Sequence, residues 1–395
     1  MKILVADKLS DHAIQQLEAL GAEVTANPDL KSEEITSVIH DSEVLIVRST
    51  KVKADVIHAA NKLSLIIRAG AGVNTIDLAE ASKHAIYVAN CPGKNTDAVA
   101  ELAIGLMIAA DRQIVNASSD LRAGSWKKKV YGKARGLKGR TLGIIGTGAI
   151  GRGVIRRAKA LDMNVIGWSR SLTDETAAEL GIERAPTVQD LARQSDVVSV
   201  HIAATPQTTH IINADFLAAM KDGAILINTS RGETMDTAAV KRAIGEKGLR
   251  VAMDVYEDEP SGGDAPFQDV KLAATVTGTP HIGASTDQSA EAIADEVVHI
   301  VESYMHTGLP ANSVNIRQPG GKLFTLIVRH YNCVGVLAFV LDSLREAGIN
   351  IEEMTNTIFD QSAAASCSLQ LDDPPDADLL AAIARNESIL QVSLK

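Results

Sequence analysis

Leu142-Gly143-Ile144-Ile145-Gly146-Thr147-Gly148-Ala149-Ile150-Gly151 is the stretch whose reading decides the fold. Its first four residues are an apolar run of the kind a strand buried on both faces requires. Gly146, Gly148 and Gly151 then follow at GxGxxG spacing, and residues 150–161 continue with helical spacing. A strand, a glycine turn and a helix in that order predict a dinucleotide site. The glycines allow a tight turn and close approach of a pyrophosphate. The helix start then offers the Ala149 and Ile150 amides and a partial positive charge.

Similar short apolar runs recur on both sides, at 3–6, 44–47, 65–67, 165–167, 197–200, 224–227 and 251–253. Segments of helical spacing lie between them, at 13–20, 155–161 and 238–244. This alternation predicts an α/β protein with two doubly wound, parallel-sheet, Rossmann-like domains. A long helix, with Asn95-Thr96-Asp97 as its start signal, separates the two units. After Pro319-Gly320-Gly321 the pattern becomes βαββαβ, which predicts a C-terminal ferredoxin-like domain. The expected division is 1–92 with 285–315, then 93–284, a linker at 316–321, and 322–395.

Composition narrows the function. The 395 residues are 46% hydrophobic and only 3% aromatic, so the core is aliphatic and a base-stacking platform is not expected. A net charge of -10 disfavours nucleic acid as a partner. Cys91, Cys333 and Cys367 are too few and too scattered for a disulfide framework or a CxxC metal site, which suits a reducing cytoplasm. No metal site is read. Neither a signal-peptide core at the N-terminus nor a membrane span is expected; the longest apolar stretch, 98–110, is too short to cross a bilayer. Residues 126–140 hold seven Lys or Arg and read either as a solvated loop or as a basic rim for an anion.

The residue that reads the cofactor ribose should lie about twenty positions after the glycine turn. There the chain has Ser169-Arg170 in place of a carboxylate. Nothing repels a 2′-phosphate, and Arg170 can pair with one, so the cofactor is expected to be NAD or NADP. Three later segments put polar residues at strand ends: 228–232 with Arg231, 254–260 with Glu259, and 279–285 with His281. Doubly wound folds bind ligands at that edge. Oxidation of a 2-hydroxy acid needs a base, a carboxylate to hold that base, and a cation for the substrate carboxylate.

Together with residues 44–56, 68–77 and 95–102, these motifs resemble the D-isomer-specific 2-hydroxy-acid dehydrogenases, most closely the branch that oxidises D-3-phosphoglycerate on the way to serine. The resemblance implies that His281 is the acid/base, Glu259 its carboxylate partner and Arg231 the substrate-carboxylate arginine. It implies a cofactor contact for Asp254, with Thr229, Ser230 and Gly283 beside it. The amides of Ala71 and Gly72 would cradle the substrate carboxylate, and Arg48 and Arg68 would face the substrate's phosphate. It also implies a homodimer or homotetramer. A glyoxylate or hydroxypyruvate reductase of the same family is the first alternative, and a cofactor-sensing, corepressor-like binding protein a remote one. Residues 322–395 resemble an ACT domain. His330, Asn332 and Asn350 match positions that bind L-serine in regulated members, and Val334 stands where proline is usual.

Overall fold

A strand flanked by parallel neighbours and helices on both faces must be apolar throughout, and that is how the runs above fold. The computed structural model describes residues 1–260, 265–317 and 323–395. Positions 318–321 of the expected linker lie outside the described residues. Two compact units result, Met1–Asn315 and Ile316–Lys395.

The first unit contains two parallel sheets. β1 (Lys2–Val5), β2 (Glu23–Ala26), β3 (Val44–Val47), β4 (Leu65–Arg68) and β5 (Tyr87–Asn90) form one, in the order β2-β1-β3-β4-β5. β6 (Thr141–Ile145), β7 (Asn164–Trp168), β8 (Glu183–Arg184), β9 (Val197–Val200), β10 (Ile225–Asn228), β11 (Arg250–Met253) and β12 (Thr277–Gly278) form the other, in the order β12-β11-β10-β9-β6-β7-β8. Strand order therefore reverses between β1 and β3 in the first sheet and between β6 and β9 in the second. Those reversals are where doubly wound sheets open a crevice at their carboxyl edge.

Two long helices serve the two sheets. Thr96–Arg112, which contains the long apolar stretch, buries Ala100, Ala103, Leu106 and Met107 on the second sheet. Asn95 precedes it but makes no side-chain cap. Asp287–Thr307 returns to the first sheet and buries Ile293, Val297, Ile300 and Val301 there. Among the described residues, no helix is long and apolar enough to cross a membrane.

The second unit is a four-stranded antiparallel sheet. Its strands are β13 (Phe324–Tyr331), β14 (Ile351–Ile358), β15 (Ala364–Leu371) and β16 (Ile389–Leu394), in the order β14-β15-β13-β16. With helices Val336–Glu346 and Ala377–Ala384 the chain order is βαββαβ. Leu326, Val328, Val340, Leu344, Cys367 and Leu369 close its core.

The basic stretch 126–140 is largely paired. Lys127 meets Asp120, Lys138 meets Asp162 and Arg135 meets Asp196. Arg140 is buried, and its Nη1 donates to Asp111 at 2.8 Å. Asp111, at the end of the long helix, is only 2% exposed. Removing the carboxylate strands a buried guanidinium, so Asp111→Ala should lower stability by about 3–5 kcal/mol. Denaturant titration followed by tryptophan fluorescence checks this, because Trp126 and Trp168 both report on the first unit.

Candidate active site

The carboxyl ends of β10, β11 and β12 carry the three polar segments, and hydrogen bonds give each a fixed shape. After β10, the Asn228 amide donates to the Arg231 carbonyl (2.9 Å), and its Oδ1 accepts from the Ser230 amide and hydroxyl. Gly232 lies against the Tyr256 carbonyl, where a Cβ would come within 2.0 Å. That close approach ties the loop after β10 to the loop after β11.

Asp254 is buried, and its carboxylate is fully committed. Oδ1 accepts from the Thr279 hydroxyl (2.6 Å) and the Ile282 amide (2.8 Å), and Oδ2 accepts from the Gly283 amide (2.8 Å). The His281 amide donates to the Asp254 carbonyl at 2.8 Å. Three consecutive amides thus converge on one residue and hold His281 at φ 53°, a left-handed conformation rare for a residue with a Cβ. Asp254, expected as a cofactor contact, therefore also shapes the histidine's loop.

His281 Nδ1 pairs with Glu259 Oε2 at 2.7 Å, leaving Nε2 as the ring nitrogen free to exchange a proton. Glu259 Oε1 accepts from the Tyr256 amide. The hydrogen bond that His281 donates to Glu259 raises the His281 pKa above its ordinary value, against the opposing effect of burial. Burial works to raise Glu259, but hydrogen bonds from His281 and Tyr256, together with the Arg231 charge, hold it below the usual carboxylate value.

Arg231 reaches across to the first sheet. A Cβ on Gly72 would come within 2.4 Å of the Arg231 guanidinium, and one on Gly70 within 1.6 Å of Arg68 Nη1. The two guanidiniums thus occupy the space beside these glycines, and a side chain at either position would displace the end of an arginine. The amides of Ala71 and Gly72 donate to no protein acceptor among the described residues, and Asn90 Nδ2 fixes the loop by donating to the Ala71 carbonyl at 2.6 Å. Arg48 follows β3 at the sheet's switch point. There Asp7 Oδ2 accepts the amides of Arg48, Ser49 and Thr50. Burial, and then the charges of Arg231 and Arg48, lower the Arg68 pKa. Among the described residues, none of Arg48, Arg68 and Arg231 has a carboxylate within ion-pair distance.

The glycine turn after β6 fits a dinucleotide. A Cβ at Gly146 would lie 2.3 Å from the His201 carbonyl, and one at Gly151 would lie 2.0 Å from the Gly146 carbonyl, whereas the space beside Gly148 is open. The helix Ala149–Ala160 starts there without a side-chain cap, so its first amides remain available. Thr229 Oγ1 is buried without a partner. Ser169 Oγ bonds Thr147 Oγ1 at 2.9 Å. Next to it, Arg170 lines a cleft of about 450 Å³ together with Ser171, Thr173, Asp174 and Arg184. Arg184 is paired with Asp174, whereas Arg170 has no carboxylate partner among the described residues.

The three positions expected to bind an effector do not meet within one chain. His330 and Asn332 lie at the end of β13, beside Ala365 and Ala363. Asn350 precedes β14 at the opposite end, where Ile351 pairs with Leu371. Six residues of β15 separate the two ends, roughly 20 Å. His330 is buried, with its ring nitrogens on the Tyr331 carbonyl and Asn356 Oδ1. Val334 is fully exposed.

Asp7, Asn90 and Asn228 were not singled out from the sequence. Each is a polar residue at or just past the end of an apolar strand, the same signal that marked Arg231 and His281.

Residues 104–283 match the family described as D-isomer specific 2-hydroxyacid dehydrogenase, NAD binding domain. The chain is 41% identical over 318 residues to D-3-phosphoglycerate dehydrogenase of Methanocaldococcus jannaschii; the match covers 80% of this chain and 60% of that protein. It therefore spans about three fifths of that relative's length. It is 38% identical to hydroxypyruvate reductase of Thermotoga maritima, over 75% of this chain and 96% of that one. Among solved structures it is similar to an NADPH-dependent glyoxylate/hydroxypyruvate reductase from Sinorhizobium meliloti, in complex with NADP and malonate. That likeness has a TM-score of 0.69 and 27% identity, and covers 81% of this chain and 99% of that one.

Glu259→Gln keeps a hydrogen-bond acceptor but removes the charge that favours imidazolium. The His281 pKa should therefore fall toward or below its ordinary value. Imidazole proton resonances followed through a pH titration, with His281→Gln for assignment, check the direction.

Proposed function

Because the chain belongs to the D-isomer specific 2-hydroxyacid dehydrogenase family, we propose that it oxidises D-3-phosphoglycerate to 3-phosphohydroxypyruvate, or runs the reverse reduction, as the entry to serine synthesis. The observation that carries this reading is the trio Arg48, Arg68 and Arg231, which among the described residues have no carboxylate within ion-pair distance. One guanidinium suffices for a 2-hydroxy acid's carboxylate. Two more are accounted for by a second, strongly anionic group, and a phosphate has that charge.

In this reading the substrate lies in a cleft between a split domain (1–92 and 285–315) and a dinucleotide domain (93–284). The nicotinamide, when bound, accepts or returns the hydride. The chain's own residues do the rest. Arg231 and the amides of Ala71 and Gly72 bind the carboxylate, and Arg48 and Arg68 bind the phosphate. His281 Nε2 takes the hydroxyl proton, and Glu259 stabilises the imidazolium that results. Gly146, Gly148, Gly151 and the amides of Ala149 and Ile150 would hold the pyrophosphate, with Thr229, Ser230, Asp254 and Gly283 lining the nicotinamide side. Ser169 and the unpaired Arg170 favour acceptance of NADP as well as NAD. That wall is also the observation that favours the second reading, a glyoxylate or hydroxypyruvate reductase.

A substrate panel separates the two readings. With 3-phosphohydroxypyruvate, hydroxypyruvate and glyoxylate, each tried with NADH and NADPH, kcat/KM should be highest for the phosphorylated substrate. Arg68→Gln should lower that value by roughly 10- to 100-fold, the worth of one charge-assisted contact, while changing hydroxypyruvate turnover far less. Highest kcat/KM for glyoxylate would establish the second reading instead. His281→Ala should cut kcat roughly 100- to 10,000-fold on every substrate.

We further propose that residues 322–395 are an ACT-like regulatory domain that binds L-serine between two copies of the chain. The separation of Asn350 from His330 and Asn332 supports a site shared by two chains. The helix Ile114–Arg122 buries none of its residues, and Leu121 and Trp126 are exposed, which supports a homo-oligomer. Isothermal titration with L-serine should give heat in the native protein and none in Asn350→Ala, with inhibition of turnover following the same pattern.

A further inference from the structure

Outside the proposed active site, one cluster has ligand chemistry that the proposed reaction does not use. His58 lies near the end of the helix Ala54–Ala59. Glu80 lies in the first turn of the helix Leu78–Lys83, and His84 caps that helix. His58 Nε2 is 2.9 Å from Glu80 Oε1, and His84 Nδ1 is 3.5 Å from the same oxygen. One donor atom from each of the three residues lies within 4.8 Å of the others. A tetrahedral zinc ion with ligands at about 2.0–2.2 Å sets its donors about 3.3–3.5 Å apart, so the observed spacing needs only small side-chain adjustments.

The carboxylate is held ready for such a role. Lys83 Nζ holds Glu80 Oε2 at 2.9 Å, leaving Oε1 on His58; His84 Nδ1 lies 3.0 Å from the Glu80 carbonyl oxygen, a contact that a bound ion would replace. The Glu80 side chain is 16% exposed, whereas those of His58 and His84 are 55% and 43% exposed, so an ion has access.

We propose that His58, Glu80 and His84 form a binding site for one divalent transition-metal ion of zinc's class per chain, with a fourth position left to water. Two imidazoles and one carboxylate suit zinc, cobalt or nickel and not magnesium or calcium, which take oxygen ligands. The ligands lie 22 and 4 residues apart in sequence, so no local spacing reveals them. Bound metal would staple the two helices. Arg48 precedes the first helix, and the loop with Gly70 and Gly72 precedes the second. Residues Val52 and Ile76 of the intervening segments already pair in a parallel bridge. The staple would therefore hold together the two arms that carry the unpaired arginines.

The test is metal uptake by the full-length, metal-stripped protein. Near neutral pH, isothermal titration with Zn²⁺ should show one site per chain, and Co²⁺ should give the intense visible absorption of a four-coordinate ion. His58→Gln and His84→Gln should each weaken Zn²⁺ binding roughly tenfold or more and abolish the cobalt signal. Turnover without metal should stay native-like, which shows that these surface variants fold. His281→Gln should leave the uptake unchanged, which separates this site from the His281–Glu259 pair. Lowering the pH to about 5.5, below the ordinary imidazole pKa, should weaken binding, because the ligating nitrogens must be unprotonated. Equal Zn²⁺ affinity and stoichiometry in the native protein and a folded His58→Gln/His84→Gln double variant would overturn the proposal, as would absence of uptake by the native protein.

Discussion

Three guanidiniums held close together without a carboxylate between them are the constraint around which the first unit is arranged. Arg48, Arg68 and Arg231 come from the ends of β3, β4 and β10, in two different sheets. Burial, and after it the charges of Arg231 and Arg48, lower the pKa of Arg68. Such an arrangement persists only if backbone and packing over-determine it. Gly70 and Gly72 supply the room, Asn90 pins the loop between them, and Asn228 and Gly232 fix the turn that presents Arg231.

The nearby carboxylates explain why the arginines stay free. Asp7 Oδ2 is taken up by three amides of the Arg48 turn. Both oxygens of Asp254 are taken up by the loop that carries His281. Glu259 divides its oxygens between His281 and the Tyr256 amide. Each acid next to the cluster is thus committed to shaping a loop or holding the histidine. The charges of Asp7 and Glu259 still act on Arg68 and Arg231, but among the described residues no carboxylate comes within ion-pair distance of the three guanidiniums, which leaves their donors for an incoming anion.

How far this was legible in the sequence follows from burial. β1, β3, β4, β6, β9 and β10 showed themselves as apolar runs because both their faces are covered. β2, with the pattern EVTA, β8, with two residues, and β12 left no such run, because they lie at or next to sheet edges, where the alternation or brevity of polar residues replaces it. Arg231, Glu259 and His281 stood out as charged or titratable residues at strand ends. Asp7, Asn90 and Asn228 occupy equivalent places but act on backbone groups, and no one-dimensional pattern records which amide a side chain will meet. The resemblance implied that the amides of Ala71 and Gly72 cradle a substrate carboxylate. That the same loop lies against the guanidiniums of Arg68 and Arg231 is a contact between two sheets that sequence order conceals.

Net charge gives a similar lesson. The chain carries -10, yet residues 322–395 hold ten Asp or Glu against five Lys or Arg, so half of that excess lies in those residues. Even the remainder is a poor guide to the cleft. An acidic residue contributes to the field at a distance only as far as its charge is left uncompensated by nearby dipoles. Asp7 and Asp254 each face a set of inward-pointing amides, whereas among the described residues no carboxylate lies within ion-pair distance of Arg48 or Arg68. Cations are thus gathered at one place in a chain that is negative overall. Commitment of individual charges, and not their sum, is what makes this site fit for an anion.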